Sequence, residues 1–156
     1  MSEFGPDSEE PAEHRRFHGY LQALGQVRDA DETDLVTRVL ADPDQAMAQS
    51  VIVRHIDCRA ADLCPRPAFE PWAQSMTRTT NGYPFLGRRL REWTLFRAIT
   101  LGLPWHPDAL TESSDWLQRK TAAASNADAL TLLAEHGRTR RIRNAARNNP
   151  QHPGPC

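Results

Sequence analysis

Apolar residues along this chain recur at intervals of three and four, and no segment alternates apolar and polar side chains over the length of a strand. A period near 3.6 gathers such residues on one side of a helix, whereas a half-buried strand needs a period of two. Phe17, Tyr20, Leu21 and Leu24 set the pattern at i, i+3, i+4 and i+7, and Leu35, Val36, Val39 and Leu40 repeat it. Only Val51-Ile52-Val53 argues locally for a strand, and its flanks, Ala-Met-Ala-Gln before and Arg-Ala-Ala-Asp after, favour helix. The expected fold class is therefore all-α, a compact irregular bundle of about seven helices.

Turn formers divide that pattern into elements. Asp42-Pro43-Asp44-Gln45 reads as a helix start, with Asp42 as cap, Pro43 in the first turn and Gln45 reaching back. The helix that follows carries Met47, Ala48, Val51, Ile52, Ile56 and Leu63. Pro65, Pro67 and Pro71 break the chain before a short helix around Trp72 to Thr79. Pro84 opens a central helix, Phe85 to Leu101, with Leu86, Leu90, Trp93 and Leu101 on one face and Leu95 and Ile99 on the other. A helix apolar on two sides is expected to be surrounded. Pro107 starts a helix through Leu110, Leu117, Thr121 and Ala124; Ser125 to Asp128 resembles a capping box; Gly137 closes that helix and Thr139 caps the last. The domain reading is a flexible arm over residues 1–10, one helical domain over 11–149 and a disordered tail over 150–156.

A length of 156 residues allows a core without disulfides or metal. Three cysteines, Cys58, Cys64 and Cys156, make no paired framework, so reduced thiols are expected, with Cys58 and Cys64 as small buried hydrophobes. No apolar run approaches the roughly 20 residues of a membrane span, and the first residues are acidic where a signal peptide is basic and then apolar. The cytoplasm is the expected address, with no membrane partner. The net charge of −1 conceals a polarity: residues 1–84 hold 8 of the 19 basic and 14 of the 20 acidic residues, leaving 11 and 6 for the remainder. The two parts either attract one another within the fold, present two faces to partners, or form a plain solvated mixture.

Two segments, LVTRVLADPDQAMAQSVIVRH from Leu35 to His55 and LTLLAEHGRTRRIRNAARNN from Leu130 to Asn149, each read as a leucine-bearing helix, a polar turn and a second helix. This is similar to the helix pair of HEAT-type repeats or of the leucine-rich-repeat variant. That resemblance implies stacked helix pairs at both ends of the chain and a role as a binding scaffold. The second segment departs from the first in its longer turn and lack of Asp-Pro, and residues 65–125 show no repeat.

Chemistry-bearing motifs are few. No phosphate-cradling glycine loop, nucleophile elbow, dinucleotide fingerprint or zinc-spaced cysteine set is present, so no cofactor is expected. His14 and His18 stand at i, i+4, but Arg15 and Arg16 lie between them and no general-base glutamate does, so no metal is assigned. His55, beside Asp57 and Cys58, is either a hydrogen-bonded core histidine or part of a pocket. Arg97 falls on the Leu90 and Trp93 side of the central helix, which predicts partial burial and either an internal acidic partner or a ligand anion. Arg97, His55 and Asp57 together form the candidate pocket, on condition that they converge. The last helix gathers Arg138, Arg140, Arg141, Arg143 and Arg147 among Asn144, Asn148 and Asn149. Such a face suits an acidic protein surface or phosphates, although it holds no aromatic for stacking and the pI is near 6.6. The leading expectation is a small cytoplasmic adaptor or regulator that binds another protein through these arginines. The alternatives are nucleic-acid binding by the same helix and an enzyme built on the pocket.

Overall fold

The computed structural model describes residues 11–154, and over that span the protein has nine α-helices and no strand. Residues 1–10 and 155–156, which include the expected N-terminal arm and Cys156, lie outside the described residues. The helices are α1 (Ala12–Gln26), α2 (Glu32–Leu40), α3 (Gln45–Leu63), α4 (Phe69–Thr79), α5 (Pro84–Leu101), α6 (Pro107–Thr111), α7 (Asp115–Ala122), α8 (Ala127–His136) and α9 (Arg140–Asn148). A 3-10 turn, Asp29–Asp31, leads into α2.

They stack in two layers. Odd-numbered helices form one, α1 on α3, α3 on α5, α5 on α7 and α7 on α9, while α2 packs on α4 and α6 on α8 in the other. Each even helix also packs against the odd helix that follows it, so the chain advances by helix pairs from α1 toward α9. Both repeat-like segments fall on such pairs, α2 with α3 and α8 with α9. No described helix is long and apolar enough to cross a membrane.

The two-sided pattern of α5 explains its central place. Leu86, Leu90 and Trp93 enter a core shared with α1 to α4, and Ile99 enters a second core with α6, α8 and α9. Each Leu or Ile so buried contributes about 1.5–3 kcal/mol. On α1, Leu24 is buried and Phe17, Tyr20 and Leu21 pack on the first core, as their spacing requires. Leu101 departs from expectation: it is 43% exposed, because α5 ends one residue later in the left-handed turn of Gly102 (φ 70°).

Three helix starts differ from the sequence reading, and side-chain partners decide each. The cap of α3 is Asp44, whose carboxylate accepts from the Met47 amide. Asp42 instead turns inward, accepting from Tyr20 Oη at 2.7 Å, Arg16 Nε and the Asp44 amide, and Gln45 donates its side-chain amide to the Leu40 and Asp42 carbonyls. The expected helix from Pro107 to Ala124 is two helices, because Ser114 starts α7 by capping Leu117 while Ser113 Oγ donates to the Leu110 carbonyl. Asn126 rather than Ser125 caps α8, and the same side chain donates to the Ile99 carbonyl, tying α8 to α5. Gly137 has an ordinary φ of −54°; glycine is needed there because a Cβ would lie 2.6 Å from the Leu133 carbonyl oxygen and 2.9 Å from Ile142. Beyond α9 the His152 amide donates to the Asn149 carbonyl and the Gln151 amide to its side chain. Asn149 itself donates to the carbonyls of Ala122 and Ala124, fastening the end of α9 to α7.

Candidate functional site

The three residues of the expected pocket enter three separate networks. His55, 6% exposed on α3, places Nε2 2.6 Å from Glu32 Oε2 on α2. A carboxylate only accepts, so Nε2 carries the hydrogen. Glu32 is itself 4% exposed and also accepts from Arg59 Nε at 2.9 Å and Trp72 Nε1 at 3.1 Å. Burial pushes this carboxyl up, but hydrogen bonds from His55 and Arg59, with their charge, outweigh it and hold the carboxyl below its ordinary value. One buried acceptor thus joins α2, α3 and α4.

Asp57 lies two positions along α3 from His55 and points elsewhere. It takes a bidentate pair from Arg89 of α5, at 2.9 and 2.7 Å, and a third bond from Trp93 Nε1 at 2.8 Å. The Arg89 guanidinium lies 3.4 Å above the centre of the Trp116 ring, which carries the contact on to α7. Arg97 is partly buried as its spacing predicted, with 12% of its side chain exposed. It donates to the Cys64 carbonyl at 2.9 Å and to Glu70 at 3.3 Å, and its charge stands over the Phe69 ring. Each of these groups is occupied in joining helices, and the hollow that His55 lines includes neither Arg97 nor Asp57.

The thiols also separate. Cys64 is buried, and burial pushes its thiol up, whereas Cys58 is exposed rather than the buried hydrophobe expected. Cys58 lines a hollow of about 350 Å3 between α1 and α3 with His18, Arg54 and His55.

The arginines of α9 divide by position. Arg138 precedes the helix and is structural: its amide donates to Gln118, its guanidinium to the Ser113 carbonyl, and it pairs with Asp115 at 3.0 Å. Arg143 is half-buried and donates to the Gly137 carbonyl at 2.8 Å. Arg140, Arg141 and Arg147 are exposed and have no carboxylate partner among the described residues. Arg147 donates to the Asn144 side chain at 3.4 Å. Because Ile142 and Ala146 are buried on the opposite side, the outer face of α9 presents Arg140, Arg141, Asn144, Arg147 and Asn148. No acidic residue occurs on this helix, and two of the cations sit in its first turn, at the positive end of its dipole. Elsewhere Arg16, Arg59, Arg88, Arg89 and Arg97 each meet a carboxylate.

No family model, curated protein or solved structure matches the chain.

Glu32, Arg59, Arg89 and Trp116 were not singled out from sequence. For Glu32 the signal was present: it stands at i to Val36 and Val39 at i+4 and i+7, on the core-facing stripe of α2. A carboxylate on such a stripe needs buried donors. The partners of Arg89 and Trp116 depend on how α3, α5 and α7 meet, and no local spacing encodes that.

Proposed function

We propose that the chain is a helical adaptor or regulatory module that binds another protein by laying the outer face of α9 on an acidic surface. The observation that carries this reading is the set of exposed cations, Arg140, Arg141 and Arg147, with no carboxylate among the described residues to neutralise them and no acid on their helix. Arginine is the cation best suited to interfaces, since its planar fork pairs bidentately with carboxylates and is weakly hydrated. The alternating two-layer stack supports kinship with helix-pair repeats of the HEAT kind, whose terminal pair exposes an outer face for contact. Cytoplasmic action belongs to the same reading, because a reducing compartment keeps Cys58 and Cys64 as thiols.

Protein is favoured over nucleic acid because three unpaired guanidinium groups on a chain of net charge −1 offer little counterion release, and the face holds no aromatic residue. The enzyme reading loses its support, since Arg97, His55 and Asp57 are each committed to structural partners. The test is a pull-down with the full chain and with the R140E/R141E/R147E variant, followed by a gel shift with duplex DNA and RNA at low salt. A protein retained by the wild type and lost by the variant is expected. Retardation of duplex with no such protein would transfer the role to nucleic-acid binding.

A further inference from the structure

A second surface, away from α9, carries the features of self-pairing. Where α3 meets the start of α5, Ala46, Gln49, Ser50, Val53 and Phe85 line a hollow of about 400 Å3. Its wall holds no charged residue. Phe85 is 57% exposed, the largest exposure among the big apolar side chains described, and it does not serve the core, which Leu86 and Leu90 fill from the same helix. A second hollow of about 230 Å3 opens on its other side, lined by Arg88, Arg89, Glu92, Ser114 and Trp116. Phe85 therefore stands as an aromatic ridge directly beside an uncharged depression.

A ridge and a depression side by side on one surface meet the requirement for an isologous contact, in which a two-fold rotation brings each copy's ridge to the other's depression. Charge agrees with that operation. The outward stripe of α3 starts at Asp44, against which Glu13 lies, and ten residues on reaches Arg54, which is exposed with no carboxylate partner among the described residues. If α3 crosses its copy in antiparallel sense, each acidic end faces the other copy's Arg54 and the two helix dipoles oppose. The hollow between α3 and α5 is uncharged, and the charges on the other side of Phe85 are already paired, Arg88 with Glu92 and Arg89 with Asp57, so no ion is stripped of water without a partner. A foreign protein would need to supply either the ridge or the depression; a second copy supplies both. We infer that the chain forms a two-fold dimer in which Phe85 of each copy enters the hollow between α3 and α5 of the other.

Sedimentation equilibrium of the full chain, carried to about 300 µM so that a Kd near 10⁻⁴ M still populates dimer, tests this. Two variants report on the contact from opposite sides: Phe85→Glu removes the ridge, and Ser50→Trp fills the depression. Both positions are exposed, so circular dichroism and the melting temperature of the monomer should match the wild type. The expected result is a monomer–dimer equilibrium that each variant weakens by about 100-fold or more. A wild type that remains monomeric at the highest concentration would overturn the inference. So would a dimer that both variants leave unchanged, or growth beyond two copies, since an isologous contact closes at two.

Discussion

Replacing Glu32 with alanine removes one acceptor that three side chains share, and the size of the loss follows from their burial. Trp72 is nearly buried, and its ring N–H would be left without the Glu32 oxygen at 3.1 Å, costing about 1–3 kcal/mol. His55, equally enclosed, loses the partner of Nε2, for about 1 kcal/mol more. Arg59 adds little, because 26% of its side chain meets solvent and it keeps Asp29 at 3.1 Å. The sum is about 3 kcal/mol, which for a chain of this size lowers the melting temperature by about 6–12 °C. Glu32→Gln keeps one acceptor oxygen and should lose about half as much. Urea unfolding followed by tryptophan fluorescence and far-ultraviolet circular dichroism measures both variants. If Glu32→Ala unfolds within about 0.5 kcal/mol of the wild type with the same urea dependence, Glu32 does not join α2, α3 and α4 as described.

Acid should act through the same group. Glu32 and Asp42 titrate below their ordinary values in the folded chain, the first through His55 and Arg59 against the cost of burial, the second through Tyr20 and the Asp44 amide. Such groups confer stability that is complete above the unfolded values of about 4 and is lost as pH falls through the lowered ones. Stability measured against pH should therefore be flat near neutrality and fall below about pH 4, with a shallower fall in Glu32→Gln; an unchanged acid limb in that variant would contradict the assignment. Gly137→Ala should destabilise by about 1–3 kcal/mol in thermal unfolding, since the added Cβ meets the Leu133 carbonyl at 2.6 Å, and a neutral effect would show that the turn between α8 and α9 yields freely. In alkylation of the native chain followed by mass spectrometry, Cys58 should react and Cys64 should resist until the protein unfolds; equal rates would place Cys64 at the surface.

Helix identity was legible wherever an apolar stripe had to face a neighbour, as in α1, α3 and the two-sided α5. Boundaries were less so, because Asp42 and Asp44 are both plausible caps and the choice between them rests on Tyr20 and Arg16, more than 20 residues away in sequence. Ser113 and Ser114 broke what apolar spacing alone presents as one helix. The burial of Arg97 followed from its place beside Leu90 and Trp93, but its carbonyl partner at Cys64 did not. His55 and Asp57, neighbours in sequence, diverge because two residues turn a helix by about 200° and send their side chains to different neighbours. Within the arginine cluster, composition located the face, and only the fold separated Arg138 and Arg143, which hold loops, from the three that face outward.

The affinity of the recovered protein partner for the full chain and for R140E/R141E/R147E, measured by titration calorimetry at two salt concentrations, tests the central claim most directly. Three rim charges reversed should weaken binding by about 30-fold or more, and added salt should weaken the wild type more than the variant. An affinity that changes by less than about threefold, or is indifferent to salt, would mean that α9 is a solvated end of the helical stack and not its docking face.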